Sequence, residues 1–306
     1  MYTGNLFTDT LPPDEEPVIK HGWIRALLYF FAFLMVSFLF QAVSLYMLAV
    51  VTGQGVQALM ESMNTPEGAL YFTFIQFFGL LGTMLLTFLF RRYLDRGSLM
   101  SLGFDVKGRL PDAQLGLGIG FGLIAIGFVL LLLLGNLTVT GFQFSLSTMA
   151  LYLLLLIMVA LNEEISVRGY ILHNLMHSVN RYAALVISSL LFSVMHLLNP
   201  NFSLISFVNI VLAGILLGVY YIHRQNLWFP IALHFAWNFF QGPVFGFEVS
   251  GINLLGLVQQ QVQGKEMLTG GQFGFEGSII LTLLLAGAIY VTNRLFSPNT
   301  GADAQV

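Results

Sequence analysis

Two glutamates and an arginine interrupt a run of the chain that is otherwise apolar. Glu163, Glu164 and Arg168 lie within six residues of one another. On a helix, Glu164 and Arg168 stand one turn apart on the same face, with the acid before the base, whereas Glu163 is rotated away from them. The spacing therefore predicts one paired and one unpaired carboxylate, and an unpaired carboxylate can act as a general base on water.

The apolar surroundings make this cluster energetically expensive. A charged side chain at the centre of a membrane helix costs about 2.5 to 3.5 kcal/mol, so three of them cost about 8 kcal/mol before any pairing. A structural ion pair between helices would account for Glu164 and Arg168 but would leave Glu163 buried without a partner. We therefore interpret the cluster as a functional site.

Two further apolar segments carry polar side chains. His196 follows Phe192 at helical spacing, and His234 and Asn238 share one helix face at the i, i+4 spacing. An imidazole and a carboxamide on one face can both donate hydrogen bonds to one anion. A polar contact between helices is the alternative for each group. Three such groups on three segments favour a single shared site.

The sequence does not contain the residues that other hydrolytic mechanisms require. The chain has no cysteine, which excludes a thiol nucleophile and thiolate zinc ligands. It has no His-Glu-x-x-His zinc helix and no Gly-x-Ser-Gly that would indicate a serine nucleophile. The aspartates all lie in the N- and C-terminal tails or at predicted helix ends, so two aspartates cannot act together inside the membrane. A carboxylate acting on water remains.

The composition indicates a membrane protein. Charged residues make up 9% of the chain, against about 25% in soluble domains, and hydrophobic residues make up 57%. We predict a single membrane-embedded domain at residues 23–296, with its motif-bearing core at 148–246. Residues 1–22 and 297–306 are predicted to be flexible tails. No basic patch suggests nucleic acid as a partner.

Eight apolar segments predict an all-α polytopic protein whose helices enclose a polar cavity. The segments lie near residues 24–51, 68–90, 113–135, 148–177, 183–198, 203–222, 227–246 and 278–295. Small residues predict close helix packing at Gly116, Gly118, Gly120, Gly122, Gly214 and Gly218. An even number of crossings places both termini on one side.

The positions of the lysines and arginines indicate on which side of the membrane the termini lie. Eleven of the twelve fall on the side of the termini or in the helix halves nearest to it, namely Lys20, Arg25, Arg91, Arg92, Arg96, Lys107, Arg109, Arg168, Arg181, Arg224 and Arg294. Only Lys265 falls on the other. The positive-inside rule then predicts cytoplasmic termini in the cell membrane and an external loop at residues 247–277. His196 is predicted near the external end of its segment, whereas Glu163, His234 and Asn238 are predicted near mid-membrane.

The three motifs, in this order on successive hydrophobic segments, resemble those of the CPBP family, which contains the CAAX proteases and bacteriocin-processing enzymes. The motifs are Glu163-Glu164-x-x-x-Arg168, Phe192-x-x-x-His196 and His234-x-x-x-Asn238. The resemblance covers about residues 150 to 245, and the residues flanking the motifs fit the bacterial branch. It implies an intramembrane endopeptidase of eight helices whose cavity opens toward the cytoplasm.

The resemblance also implies a role for each residue. Glu163 would activate water, and His196 would hold and polarise that water. His234 and Asn238 would stabilise the oxyanion of the tetrahedral intermediate, with Glu164 and Arg168 as the supporting pair. We expect no cofactor. Zinc bound by Glu163, His196 and His234 is the alternative, although Asn238 is a poor zinc ligand and a natural oxyanion donor.

The expected partners are the lipid bilayer and a membrane-associated protein or peptide as substrate. The residues do not choose between a prenylated substrate and a bacteriocin-like peptide, and they do not indicate an oligomeric state. The alternative function is that of a non-catalytic membrane protein of the same fold, as a bacteriocin immunity factor or a chaperone of membrane proteins. The two functions differ in whether the polar cluster must react or only be present.

Overall fold

A computed structural model of the protein describes residue 10, residues 16–62 and residues 65–297. The tails predicted at residues 1–22 and 297–306 therefore lie largely outside the described residues. The predicted all-α membrane fold is confirmed. Six helical stretches of the described part are long and apolar enough to cross a membrane.

The described helices, in chain order, are α1 (Gly22–Thr52), α2 (Val56–Glu61), α3 (Pro66–Phe90), α4 (Leu110–Leu133), α5 (Leu146–Glu164), α6 (His173–Met176), α7 (Arg181–Val194), α8 (Leu204–Arg224), α9 (Trp228–Phe239), α10 (Glu266–Thr269) and α11 (Ile279–Phe296). Turns of π-helix extend α3, α5 and α9 over Arg91–Asp95, Ile165–Leu172 and Phe240–Val244. The short α2, α6 and α10 belong to connections. The remaining eight helices correspond to the eight predicted segments.

Two of these eight helices are shorter than predicted. The helix α7 ends at Val194 instead of near residue 198, and its fourteen residues fall below the length of a full crossing. The helix α9 ends at Phe239 and continues as a π-helical turn that contains Pro243. Proline lacks an N–H and disturbs the regular helical hydrogen bonds, which accounts for the change.

A two-stranded antiparallel sheet is present that the sequence analysis did not predict. Strand β1 (Leu137–Phe142) follows α4, and β2 (Val258–Val262) lies in the long loop before α11. Leu137 pairs with Val262 and Phe142 with Val258, with an irregularity between Val139 and Gly141. The sheet joins two connections that are far apart in the chain.

Hydrogen bonds between distant segments define the two ends of the helix bundle. At the end that carries the termini, Arg25 Nη1 lies 2.6 Å from Asp95 Oδ1, and Leu227 N donates to Gly103 O at 2.9 Å. We call this end the termini side. It contains the start of α1, the α3–α4 connection and the α8–α9 turn, as expected for helices that alternate in direction.

The opposite end, which we call the hairpin side, contains the sheet and the loop at residues 245–278. Asn199 Nδ2, after α7, donates to Ser250 O at 3.0 Å, and Leu255 N donates to Tyr152 Oη at 3.1 Å. Asn209, near the start of α8, donates to Glu276 O at 2.8 Å. The loop therefore lies against the ends of several helices and is not an isolated external segment.

Glycines bring α4 and α9 into close contact. A Cβ placed on Gly116 would lie 2.5 Å from Phe229 O, and one on Gly120 would lie 2.5 Å from Leu233 O. Larger residues at these two positions would push α9 away. Gly118 and Gly122 have no such neighbour, so only two of the four predicted glycines allow close helix packing.

A second glycine pair brings α7 and α8 together. A Cβ on Gly214 would lie 2.8 Å from the Ser189 side chain, and one on Gly218 would lie 2.4 Å from Leu185 Cδ1. The two glycine contacts fix the helices that carry His196 and His234 against their neighbours.

The termini side contains a buried polar network around Asp95. Its carboxylate accepts hydrogen bonds from Arg25 Nη1 at 2.6 Å, Arg91 Nη1 at 3.0 Å and Tyr170 Oη at 3.1 Å. The side chains of Asp95 and Arg25 are each 1% exposed. One carboxylate therefore holds the beginning of α1, the end of α3 and the π-helical turn after α5 together.

We expect Asp95→Ala to destabilise the protein by about 3 to 5 kcal/mol, because it leaves buried guanidinium groups without their carboxylate. Thermal unfolding in detergent, followed by circular dichroism, measures the loss. Asp105→Ala is the matched control, since Asp105 is exposed and its carboxylate accepts a hydrogen bond from the nearby Lys107 N. Equal melting temperatures for the two variants would contradict a stabilising role of the network.

Candidate intramembrane active site

A cavity of about 230 Å³ lies between the helices and brings the predicted site residues together. Glu163, His196, His234 and Asn238 all line it. Its apolar walls come from α3, α5, α7, α8 and α9, and the loop before α11 covers it. The structure therefore shows the four predicted residues facing one space.

The helix α5 changes to π-helix immediately after Glu164. Residues 165–172 form the π-helical turn, and each of them is buried. Such turns inside α-helices are often found at functional sites, since the extra residue changes which side chains share a face. Here the turn keeps Glu164 and Arg168 in contact, with Arg168 Nη1 2.8 Å from Glu164 Oε1. The predicted ion pair is present.

The same carboxylate oxygen holds a third side chain. His234 Nδ1 donates a hydrogen bond to Glu164 Oε1 at 2.7 Å. Glu164 has no exposed surface, and Arg168 is 1% exposed and also donates to Gly214 O at 3.2 Å. Glu164 thus connects the ion pair on α5 to the imidazole on α9. Sequence reasoning gave Glu164 only the arginine as its partner.

Glu163 lies on the cavity side of this pair. Its side chain is 19% exposed, and its Oε2 atom lies 3.8 Å from His234 Nε2. That oxygen is buried and has no hydrogen-bond partner among the described residues. The arrangement agrees with the predicted difference between the two glutamates, since Glu164 is paired and Glu163 faces the cavity.

Two carboxyl groups and one guanidinium surround the imidazole of His234. Its Nδ1 carries the proton of the bond to Glu164, since a carboxylate only accepts. Its Nε2 lies on the Glu163 side of the cavity, 3.8 Å from Glu163 Oε2.

His196 has a different proton arrangement. Its Nδ1 lies 2.9 Å from Phe192 O, and a carbonyl oxygen only accepts, so Nδ1 carries a proton. In the neutral ring Nε2 is then an acceptor available to a water molecule or substrate. The residue lies beyond the end of α7, in the turn that follows Val194. The shorter helix removes the predicted depth mismatch, since the turn brings His196 to the cavity.

Phe192 occupies the space between the charged groups. Its ring centroid lies 4.4 Å from Arg168 Cζ, 4.9 Å from the His196 ring centroid and 6.2 Å from that of His234. A cation over an aromatic face is attracted by the ring quadrupole. Phe192 therefore packs against the guanidinium and fixes the positions of the two imidazoles.

Glu276, a second acidic residue on the cavity wall beside Glu163, was not predicted from the sequence. Its carboxylate accepts hydrogen bonds from Ser250 N at 2.6 Å, Ser250 Oγ at 2.8 Å and Trp237 Nε1 at 3.1 Å. Burial raises the pKa of Glu276 above its ordinary value, and the hydrogen bonds from Ser250 and Trp237 oppose this effect. Glu276 ties the loop to α9. Its position in an apolar stretch next to the start of α11 was the available signal.

The geometry does not form a metal site. Among the described residues, no group of three or more histidine, aspartate and glutamate side chains is placed to hold a metal ion. Glu163, His196 and His234 line the same cavity, but Glu163 and His234 are the two that approach each other, at 3.8 Å. The absence of a cofactor stays a prediction, with zinc bound by Glu163, His196 and His234 as its alternative.

Comparison with protein families finds a match over the segment that contains all the motif residues. Residues 144–240 match the family described as Type II CAAX prenyl endopeptidase Rce1-like. The match covers 97 of the 306 residues, and the similarity to CAAX proteases is shown for this segment. The resemblance inferred from the three motifs is confirmed, and the family is one of proteases. Comparisons with curated proteins and with solved structures found no match.

The matched segment does not contain the whole cavity. Glu276 and Ser250 line the cavity but lie beyond residue 240, the last residue of the match. Phe72 and Gln76, on α3, lie before its first residue. The matched segment supplies the four motif residues of the cavity, and the segments outside it add further polar and apolar side chains to the walls.

The cavity lies toward the hairpin side. Its lining includes Asn199, Ser250 and Glu276 from hairpin-side segments and no residue of the termini-side connections among the described residues. The resemblance implied a cavity open to the cytoplasm, and the basic residues implied cytoplasmic termini. These two expectations are incompatible in this structure, because the cavity and the termini lie on opposite sides.

We expect Arg168→Ala to destabilise the protein by about 3 to 5 kcal/mol, because Glu164 then loses the guanidinium that compensates its charge. Detergent melting temperatures measure the effect. Arg224→Ala is the control, since Arg224 is exposed and its guanidinium lies 5.8 Å from the Phe296 ring. A parent-like melting temperature for Arg168→Ala would show that the ion pair does not stabilise the fold.

Proposed function

We propose that this protein is an intramembrane endopeptidase that hydrolyses a peptide bond with a water activated by Glu163. One observation carries the proposal: a carboxylate oxygen without a hydrogen-bond partner faces the same cavity as two imidazoles and a carboxamide. The four side chains all come from the segment that matches a protease family. A general base, a water-binding group and oxyanion donors are what amide hydrolysis requires.

In the proposed reaction, a water molecule lies between Glu163 and the scissile carbonyl. His196 Nε2 accepts a hydrogen bond from this water and orients it. Glu163 removes a proton as the water oxygen attacks the carbonyl carbon, which becomes tetrahedral. The carboxylic acid of Glu163 then donates that proton to the amide nitrogen as the C–N bond breaks. The products are a carboxylic acid and an amine, and Glu163 is again a carboxylate.

The oxyanion of the tetrahedral intermediate is proposed to lie near Asn238 and His234. Asn238 is 6% exposed and one helical turn after His234, so its carboxamide N–H and the imidazolium Nε2–H can donate to the same oxygen. Donors fixed in a poorly solvated cavity stabilise developing charge more than water does. Glu164 acts through His234, because its hydrogen bond to Nδ1 sets the direction of the ring.

The proposed substrate is a membrane-associated protein or peptide. The cavity walls are largely apolar, with side chains such as Leu155, Val159 and Ile210, which suits a segment of low polarity. The non-catalytic alternative, an immunity or chaperone role, requires the cavity without the reaction. The same glutamate variant separates the two functions.

We expect Glu163→Gln to abolish proteolysis while the protein folds and inserts normally, because the amide keeps the shape and loses the basic oxygen. Loss of a general base lowers a rate by about 10² to 10⁴. Mass spectrometry of peptides from cells that express the parent or the variant measures products that depend on Glu163. Glu266→Gln is the matched control, since Glu266 is exposed and outside the cavity.

The contrary result is a Glu163→Gln protein with a parent-like melting temperature and the same peptide products as the parent. It would favour the non-catalytic function.

We expect Asn238→Ala to lower kcat by about 10² to 10³ with little change in KM, because the oxyanion forms only after substrate is bound. A substrate identified through the Glu163-dependent products allows both constants to be measured. Strong chelators should leave the parent rate unchanged. Stoichiometric metal in the purified protein that is lost with activity on chelation, and restored with zinc, would replace the oxyanion assignment by the zinc alternative.

A further inference from the structure

The basic residues and the cavity lie toward opposite sides of the protein. Basic residues occupy the termini side at the start of α1, the end of α3, the α3–α4 connection, and the ends of α8 and α11. On the hairpin side, Lys265 is the single lysine or arginine among the described residues. All twelve basic residues of the sequence are described. The positive-inside rule depends on lysine and arginine near helix ends, so it assigns the termini side to the cytoplasm.

The cavity is closed toward the termini side. Every residue from Glu164 to Met176 is buried, which excludes a solvent path along this part of the chain. Tyr29 of α1 stacks on Tyr170 with ring centroids 4.1 Å apart, and Tyr29 and Tyr170 have no exposed surface. The Asp95 network lies beyond this aromatic layer. A substrate on the cytoplasmic side would have to pass through packed side chains.

The hairpin side supplies the other boundary of the cavity. Val249, Ser250, Ile252 and Leu254 of the loop line it, together with Asn199 after α7. Ile252, one of these lining residues, is 37% exposed, which places part of the lining at the hairpin-side surface. The helical stretch Leu146–Met176 begins on the hairpin side, and Glu163 lies near the middle of its 31 residues.

We infer that the cavity opens on the extracytoplasmic face and that the substrate is an extracytoplasmic segment of a membrane-anchored or exported polypeptide. The segment enters between the loop and the outer ends of α3 and α5, and its scissile bond reaches Glu163 from outside. The carboxyl terminus of a cytoplasmic protein does not have access to this cavity. This inference rests on the proposed function for the cleavage itself, but the side of the cavity does not depend on it.

The absence of cysteine makes the side of the cavity directly measurable. Ile252→Cys reports on the cavity, Gln261→Cys on the exposed surface of β2, and Ser98→Cys on the termini side. None of these residues belongs to the proposed reaction, and none of the substitutions changes a charge. A membrane-impermeant maleimide is added to intact cells or to permeabilised cells, and labelling is compared.

We expect Ile252→Cys and Gln261→Cys to be labelled in intact cells and Ser98→Cys only after permeabilisation. Labelling of Ser98→Cys in intact cells, with the other two protected, would overturn the orientation. Labelling of Gln261→Cys without Ile252→Cys would retain the orientation but overturn the opening of the cavity to the outside. Both outcomes are independent of proteolysis.

The substrate class is tested by mapping the cleavage sites that are lost in Glu163→Gln cells. We expect these sites in extracytoplasmic segments, within or next to the outer half of the membrane. Sites in cytoplasmic segments would overturn the inference while supporting the protease. Absence of any Glu163-dependent site would overturn the proposed function and the substrate class together, and the labelling result would still establish the side of the cavity.

Discussion

The site depends on a single carboxylate oxygen, Glu164 Oε1, which accepts from Arg168 at 2.8 Å and from His234 at 2.7 Å. Burial of this carboxylate would be prohibitive without both partners, since desolvation of an ion costs several kcal/mol. The bond from His234 joins residues that are 70 positions apart in the chain. The two interactions fix the imidazole of α9 relative to α5 and leave the neighbouring Glu163 directed at the cavity. The glutamate proposed to react is therefore positioned by its paired neighbour, Glu164.

Helix packing determines whether this contact can form. The helix α9 reaches α5 because Gly116 and Gly120 let α4 approach its backbone, and Phe192 fills the space beside Arg168. On the other side of the cavity, Glu276 bonds Trp237 of α9 and Ser250 of the loop. The helix that carries His234 and Asn238 is thus held from three directions. In the proposed reaction, such fixation would keep the oxyanion donors in place before the charge develops, which is the condition for electrostatic stabilisation.

Much of the helical fold and of the candidate site could be predicted from the sequence, because the bilayer restricts how the chain can satisfy its polar groups. Apolar runs of about 20 residues predict helices, and charges inside them indicate a site. The i, i+4 spacing predicted the Glu164–Arg168 pair. The bond from His234 to the same carboxylate could not be predicted, since spacing within one helix does not define a contact between helices. The roles of Glu163, His196, His234 and Asn238 in a reaction stay predictions.

The features that sequence reasoning missed lie where the chain leaves regular helix. The helix α7 ends at Val194, which places His196 in a turn. The residues from Leu190 to Leu198 contain no local sequence signal for a helix end at that position. The pairing of β1 with β2 joins strands more than one hundred residues apart, which a local pattern does not encode. Glu276 is a lone acid in a loop, and its function as an anchor depends on Trp237 and Ser250. Prediction from periodicity therefore fails at the hairpin side, where the cavity is completed.

The cavity combines residues from two parts of the chain. The four motif residues lie within the matched segment at residues 144–240, whereas the loop that lines the cavity lies outside it. In the proposed reaction, a peptide in the cavity would contact Glu163 at one end and the loop at the other, so the loop would contact the residues that flank the scissile bond. Contacts to flanking residues distinguish substrates that present the same amide to the same base. The proposed function therefore assigns the reaction and the selection of substrates to different segments of the chain, which the hydrogen bonds of Glu276 connect.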